Sequence, residues 1–460
     1  MKIIRIQKRR IVLGVIGAVV LAPMSLRAEL ERLPRQIGAS IDVGQVEKGV
    51  DAVNTQAEGT VISRTGVYVT YAGSYDHKLN IGLTVGGLFW YPFVVKATQT
   101  YERLIHFGPG VGQAQATYIF GDPTNQDAAK LQFGYFPMKY NPDSKNLGEY
   151  LYRSGTYPGY VWNGGWSYLD ASSYMAQGAR LTLPTASNRV VHDVTLFVER
   201  DIEPTGDLSP GYQITVRPTS FLEFGGGAVW AHALSFSSDK LTPKPTDPLL
   251  RGTYYDKRTK RPLLSSDNLD TIPAGELGSY TFKGFKTMAR FSVNFGSLMD
   301  LDLQKAGDFK LYGEWAFLGV QNQPFYYDHP FERMPIMGGV SIPTFRLLDQ
   351  LSLEVEYHKS RFKNTVGSVF DAEIPVPLEI SENYLAYTDS ALAVDKKSTK
   401  DDWHWSLYAR RRITEGMNLC AQIASDNSRQ IDGEAKPSPT PTTLNTKDWY
   451  YVVRFEFGIF

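Results

Sequence analysis

The chain has 460 residues, with 48 Lys and Arg against 48 Asp and Glu and a single cysteine, Cys420. One cysteine excludes an internal disulfide framework, and the charge lacks the basic footprint of a nucleic-acid binder. No stretch reaches the ~20 apolar residues of a membrane-crossing helix, yet 27 Tyr, 24 Phe, 8 Trp and 41 Gly form an aromatic and glycine excess that needs an explanation.

The N-terminus reads as an export signal over residues 1–28. MKIIRIQKRR is a basic start, IVLGVIGAVVLA an apolar run of about a dozen residues, too short to span a bilayer as a helix, and SLRA a small-residue cleavage site ending at Ala28. The leader carries Lys2, Arg5, Lys8, Arg9, Arg10 and Arg27 and no acid. The chain from Glu29 onward therefore holds 48 − 6 = 42 bases against 48 acids, a net charge of minus six.

Beyond the leader comes an N-terminal segment, 29–58, and then a body, 59–460, of period-two segments. These lie near 66–72, 78–90, 111–120, 129–139, 176–184, 189–200, 211–218, 221–234, 280–296, 308–320, 335–343, 350–359, 402–413, 416–425 and 447–460. In the last of them Trp449, Tyr451, Val453, Phe455, Phe457 and Ile459 alternate with Tyr450, Arg454 and Glu456, a pattern that needs an apolar medium on one face and water on the other. The connections alternate too. PTASNR, RPTS, TFRLLDQ and ITEG are short, whereas 140–175, 235–279, 321–334, 360–401 and 426–446 are long. Short periplasmic turns and long external loops are the habit of outer-membrane barrels. With the last strand descending, parity requires one more ascending strand before 66–72, and IGASIDV in the N-terminal segment is the best candidate. The fold expected is all-β, a transmembrane antiparallel barrel of about 16 strands (roughly 14 to 18). A soluble sandwich or propeller is the competing fold, but neither has a reason to bias aromatics to one face.

On these features the chain resembles a Gram-negative outer-membrane porin. The resemblance rests on the export signal, the alternating connections, the aromatic strands and the terminal Phe, and it covers nearly all of the chain after the leader. It implies a cell outer-membrane location, contact with membrane lipid and lipopolysaccharide, passage of small hydrophilic solutes and, as in many general porins, a homotrimer as one assembly. It also implies that the third external loop folds into the pore. One departure is that Phe460 falls in the opposite register from Ile459, Phe457 and Phe455.

Alternation assigns the lumen. On LSLEVEYHK, Leu351, Leu353, Val355 and Tyr357 face lipid, leaving Ser352, Glu354, Glu356 and His358 inside. On WHWSLYARRR, Trp403, Trp405, Leu407 and Ala409 face out, and His404, Ser406, Tyr408, Arg410 and Arg412 face in. Lys286, Arg290, Lys310, Glu314, Arg454 and Glu456 join the lumen by the same rule, and both signs of charge are represented. A wetted interior at this strand number means a channel, since only barrels near eight strands fill with side chains.

The segment 140–175 is the third external loop once the inferred first strand is counted. Its Tyr150, Tyr152, Tyr157, Tyr160, Trp162, Trp166 and Tyr168 suit a packed loop better than a solvated one. Glu149, Arg153 and Asp170 are its candidates for a constriction, facing Lys286, Arg290, Arg410 and Arg412, with Glu354 and Glu356 as the acids next to the arginines. An external cap or an oligomer contact is the plainer role for the same loop.

Two other classes compete with a channel. External loops such as 240–272 and KPSPTPTT at 436–443 suit an adhesion or secretion-partner barrel. A rim hydrolase would need converging His and Asp, but in DDWH the adjacent side chains point to opposite faces, and no H-E-x-x-H, G-x-S-x-G or Cys/His metal spacing occurs. No enzyme, cofactor or metal is expected. Cysteine labelling of intact cells should reach positions near 250 and 436 but not ITEG at 413–416. Labelled ITEG with protected 436 would invert the orientation.

Overall fold

The computed structural model describes residues 30–32, 36–48, 61–90, 106–152, 174–198, 206–234, 254–259, 261–263, 268–273, 275–279, 283–299, 309–320, 329–358, 403–425 and 449–459. Sixteen of its strands form a ring. In chain order they are β1 (Gln36–Lys48), β2 (Val61–Tyr75), β3 (Leu79–Trp90), β4 (His106–Ile119), β5 (Lys130–Met138), β6 (Tyr174–Thr185), β7 (Val190–Val198) and β8 (Leu208–Thr219). There follow β9 (Leu222–Ala231), β10 (Gly284–Asn294), β11 (Lys310–Phe317), β12 (Ile336–Ser341), β13 (Gln350–Tyr357), β14 (Trp403–Thr414), β15 (Met417–Ala424) and β16 (Trp449–Ile459).

Every strand pairs antiparallel with its sequence neighbours, and β1 closes the ring on β16 from Ile37↔Ile459 to Lys48↔Trp449. Closure removes the unpaired edges that a flat sheet would expose. Leu30–Arg32 pairs with Gly73–Tyr75 of β2 just beyond Gln36↔Thr70, so it extends β1 past a break and adds no member to the ring. A small separate sheet, Tyr254–Asp256 with Arg261–Pro262 and Leu277–Ser279, lies within one long connection.

All fifteen segments expected from period two form strands, and IGASIDV supplies β1 as parity required. The ends differ by up to about a turn's length of chain, because a ladder continues wherever its partner strand offers hydrogen bonds, whatever the side-chain pattern. The tight connections are built for reversal. Asp76 and His77 both hold φ of 51° between β2 and β3, and Gly416 holds 81° between β14 and β15, the positive values that two-residue hairpins need. These turns share one end of the ring with the β1 and β16 termini, while the long connections share the other.

The faces separate as the alternation predicts. Ile37, Val67, Val85, Phe133, Leu196, Phe291, Trp315, Val355 and Trp403 are exposed on the outer wall. Asp42, Gln113, Asp193, Lys286, Glu314, Glu354, Glu356 and Arg454 are buried on the inner one. Inner charges also pair across strands: Arg454 grips Asp42 through two hydrogen bonds of 2.6 and 2.8 Å, and Arg180 grips Asp193 through two of 2.8 Å. Phe460 lies outside the described residues. Leu353 sits mid-strand on the outer face, so Leu353→Arg should cost roughly 2 to 4 kcal/mol of folding stability in lipid vesicles, read by denaturant unfolding. An unchanged midpoint would show that this face does not meet hydrocarbon.

Candidate functional site: a segment clamped inside the barrel

Directly after β5 the chain turns into the barrel. Residues 139–152 turn inward and pack against the inner wall formed by β7 to β13. Tyr150, Leu151 and Leu147 are fully buried and Tyr152 nearly so, in one apolar cluster with Phe136, Phe197, Tyr312 and Met337. Tyr152 meets Phe197 edge-on at 5.0 Å and Tyr140 at 6.0 Å between ring centroids. At ~1.5 to 3 kcal/mol for each large side chain removed from water, this packing is a strong reason for the segment to stay inside.

Packing alone would strand its backbone N–H groups, which must find acceptors once buried. Two wall carboxylates supply them. Glu354 on β13 accepts from the backbone N–H groups of Lys145 at 2.5 Å, Asn146 at 2.9 Å and Leu147 at 2.9 Å, and from the Tyr312 hydroxyl at 3.0 Å. Glu314 on β11 accepts from the Tyr140 hydroxyl at 2.5 Å, Asn141 Nδ2 at 2.8 Å, and the backbone N–H groups of Glu149 and Tyr150 at 3.0 Å each. Each carboxylate thus fills its four lone-pair positions. Successive N–H groups converging on one anion form the nest geometry that binds negative charge.

The bend that aims these N–H groups needs left-handed backbone at Gly148 (φ 76°) and Glu149 (φ 57°). The positive φ favours glycine at 148, and a Cβ there would also crowd Met337 Cε at 2.6 Å and Glu314 Oε2 at 3.3 Å. Further contacts complete the clamp. Lys286 Nζ donates to Tyr150 O at 3.2 Å, the Tyr150 hydroxyl to Glu356 Oε2 at 2.8 Å, and Lys310 Nζ to Asp143 Oδ1 at 3.0 Å. Tyr152 Oη accepts from Gln213 Nε2 at 3.0 Å and lies 2.8 Å from Thr195 Oγ1. Burial pushes the Tyr152 phenol up to about 12. Burial and then the nearby Glu314 charge raise Tyr140 well above its ordinary value, so both stay protonated near neutrality.

The residues expected at a constriction separate into groups. Glu149 is fully buried and its carboxylate turns back on its own segment, accepting Asn141 N–H at 3.0 Å. Lys286, Glu354 and Glu356 lie beneath the segment as its anchors. Arg290 is held by Glu223 at 2.6 Å and Thr215 at 3.0 Å. Arg410 and Arg412 are exposed nearer the short-turn end, and Arg153 and Asp170 lie outside the described residues. The register explains the split between glutamates and arginines: Glu354 stands opposite Ser406 and Glu356 opposite His404, whereas Arg410 stands opposite Gln350. The two walls adjoin but are offset along the barrel axis.

Sequence reasoning placed Glu314 in the lumen but missed it as an anchor, along with Tyr140 and Asn141. The signal available was NPDSKNLGE, a turn-rich stretch with a glycine that no solvated coil would need. Among the catalytic alternatives, His404 Nδ1 lies 3.2 Å from Glu356 Oε1 with both residues buried. His329 is exposed, and Asp328, Asp401 and Asp402 fall outside the described residues. No group of three or more potential metal ligands occurs among the described residues.

Ring, outer apolar belt, polar interior and inward third loop together define a porin-like β-barrel. No protein-family model matches the chain, and neither does a curated protein. Solved structures similar to it include the high-pH structure of Pseudomonas putida OprB, at 9% identity and a TM-score of 0.46, covering 93% of each chain. A triple mutant of the Rhodopseudomonas blastica porin is similar at 7% identity and a TM-score of 0.42, covering 93% of this chain and 99% of that one.

Replacing both anchors, Glu314→Gln with Glu354→Gln, turns an acceptor oxygen at each site into an NH₂ donor facing N–H groups. With hydrogen bonds to charged groups contributing ~1.5 to 3 kcal/mol each, segment 139–152 should become protease-sensitive in the folded barrel. Continued resistance of that segment would show that apolar packing holds it alone.

Proposed function

We propose that the protein is an outer-membrane diffusion channel for small hydrophilic solutes, narrowed by the clamped segment 139–152. The observation that carries this reading is the clamp itself. A barrel of this strand number is too wide for its wall side chains to fill, and the segment occupies one side of it. Among the described residues its hydrogen bonds to the wall go to β7, β8, β10, β11 and β13, and none goes to β1–β4. The passage runs along that other side, where Thr70, Gln115 and Gln132 are half-buried and Gln132 donates to Gln115 at 2.5 Å. Such a wall hydrogen-bonds water without favouring either sign of charge.

The outer belt supports a membrane setting, and the polar interior supports solute passage in place of a lipid or fatty ligand. Arg153 and Asp170 belong to the same external loop and are proposed, with Glu149, as parts of the narrowing. Selectivity by charge falls to Arg410 and Arg412 at the short-turn mouth. Purified protein in planar bilayers should give stable single-channel steps, and deleting 148–168 should raise their conductance. Folded wild-type protein that leaves the bilayer sealed would remove the channel, and unchanged conductance in the deletion would remove the narrowing.

A further inference from the structure

Between the clamped segment and the short-turn mouth lies a cavity of about 710 Å³, within the size range of small-molecule sites. The segment's Pro142, Asp143 and Lys145 bound it on one side, and strands β8 to β11 and β13 to β15 bound it elsewhere. Its charges are unequal. Lys145, Arg217, Lys310, Arg410 and Arg412 line it against Asp143, Glu223 and Asp349, an excess of 5 − 3 = 2 positive charges in a chain whose portion after the leader is acidic.

The acids are also already engaged. Asp143 pairs with Lys310 at 3.0 Å, and Glu223 is shared by Arg217 at 2.7 Å and Arg290 at 2.6 Å. Asp349 accepts the backbone N–H of Arg412. Inner-wall charges elsewhere pair across strands, as Asp42 with Arg454 and Arg180 with Asp193 do. Arg410 and Arg412 depart from this pattern: both face the cavity, and among the described residues neither guanidinium has an ion-pair partner.

We propose that this cavity binds a small hydrophilic solute bearing an oxyanion, a carboxylate or a phosphate, held by Arg410 and Arg412. Two residues apart on one strand face, the two forks stand ~7 Å apart, so one small solute can engage both. Guanidinium geometry matches carboxylate and phosphate oxygens two at a time, and low-dielectric walls concentrate the positive field within the cavity. Gln350, Asn294 and Asn418 on the same lining offer amide groups for the hydroxyls of a sugar acid or sugar phosphate. The route of entry rests on the diffusion-channel reading, whereas binding itself does not.

Titration calorimetry of the detergent-solubilised full barrel at low salt, with gluconate, glucose 6-phosphate and uncharged glucose, tests this directly. Binding of gluconate or glucose 6-phosphate but not glucose is expected, and comparing the two separates carboxylate from phosphate preference. Arg410→Gln with Arg412→Gln should weaken binding about tenfold or more, as loss of one charge-assisted hydrogen bond implies. Arg411→Gln should leave it unchanged, since Arg411 points the other way and donates to the Arg346 and Leu347 carbonyls. Absent binding, or equal affinity in the double variant, would overturn the site. In bilayers, an open channel whose protein binds neither anion would refute the site and keep the channel. A sealed bilayer with arginine-dependent binding would refute the channel and keep the site.

Discussion

A chain that enters the interior of a wide barrel must satisfy its backbone polar groups without joining the ladder, since every wall strand already has two partners. Glu314 and Glu354 resolve this constraint. Five backbone N–H groups of 145–150 end on these two side chains, with two tyrosine hydroxyls and one asparagine amide completing the acceptor positions. The dependence is mutual, because a buried carboxylate without donors would be as costly as the orphaned N–H groups it serves. The apolar cluster fixes that the segment is inside. The carboxylates fix its path, because they select which peptide groups face the wall and so require positive φ at Gly148 and Glu149.

That path divides the interior. On one side lie packed aromatic rings, and beneath them the acidic anchors and Lys286 are taken out of solvent. On the other lie hydroxyl and amide side chains, among them the half-buried Thr70, Gln115 and Gln132. The charged residues of the inner wall are therefore not equivalent, although alternation treats them alike. Glu354, Glu356 and Lys286 act on the segment, whereas Arg410 and Arg412 remain exposed.

The ring was legible in the sequence because its two demands, an apolar outer face and a polar inner one, act on every residue of every strand. Trp449 to Ile459 alone announces both, and parity along the chain recovers β1 from IGASIDV, where Ile37, Ala39, Ile41 and Val43 alternate with small or polar residues. The inward path of the third loop was legible from its rank and its tyrosines. Its anchors were not. Alternation gives the face on which a side chain sits but not its height, and height decides that Glu354 meets Leu147 and not Arg410. Height depends on strand register, and register here follows from turn lengths and from bulges such as that between Thr84 and Val85, neither of which period two encodes. Glu149 illustrates the same limit, since its charge suggested a pore-lining acid whereas it is buried and accepts the backbone N–H of Asn141.

The offset between glutamates and arginines has a consequence for how the proposed channel discriminates. If both sets stood at one height, Arg410 and Arg412 would neutralise Glu354 and Glu356 across the β13–β14 pair, and the lumen would carry little net field there. Register instead sets Arg410 four residue steps along the strand from Ser406, which stands opposite Glu354, a rise of ~13 Å. That distance exceeds the ~8 Å Debye length at physiological salt, and hydrogen-bond donors already surround the glutamates. In the proposed channel, size is thus sensed at one height by the clamped segment and charge at another by the arginines at the mouth below it. A change at one height leaves the other standing, because no described hydrogen bond joins Arg410 or Arg412 to the segment.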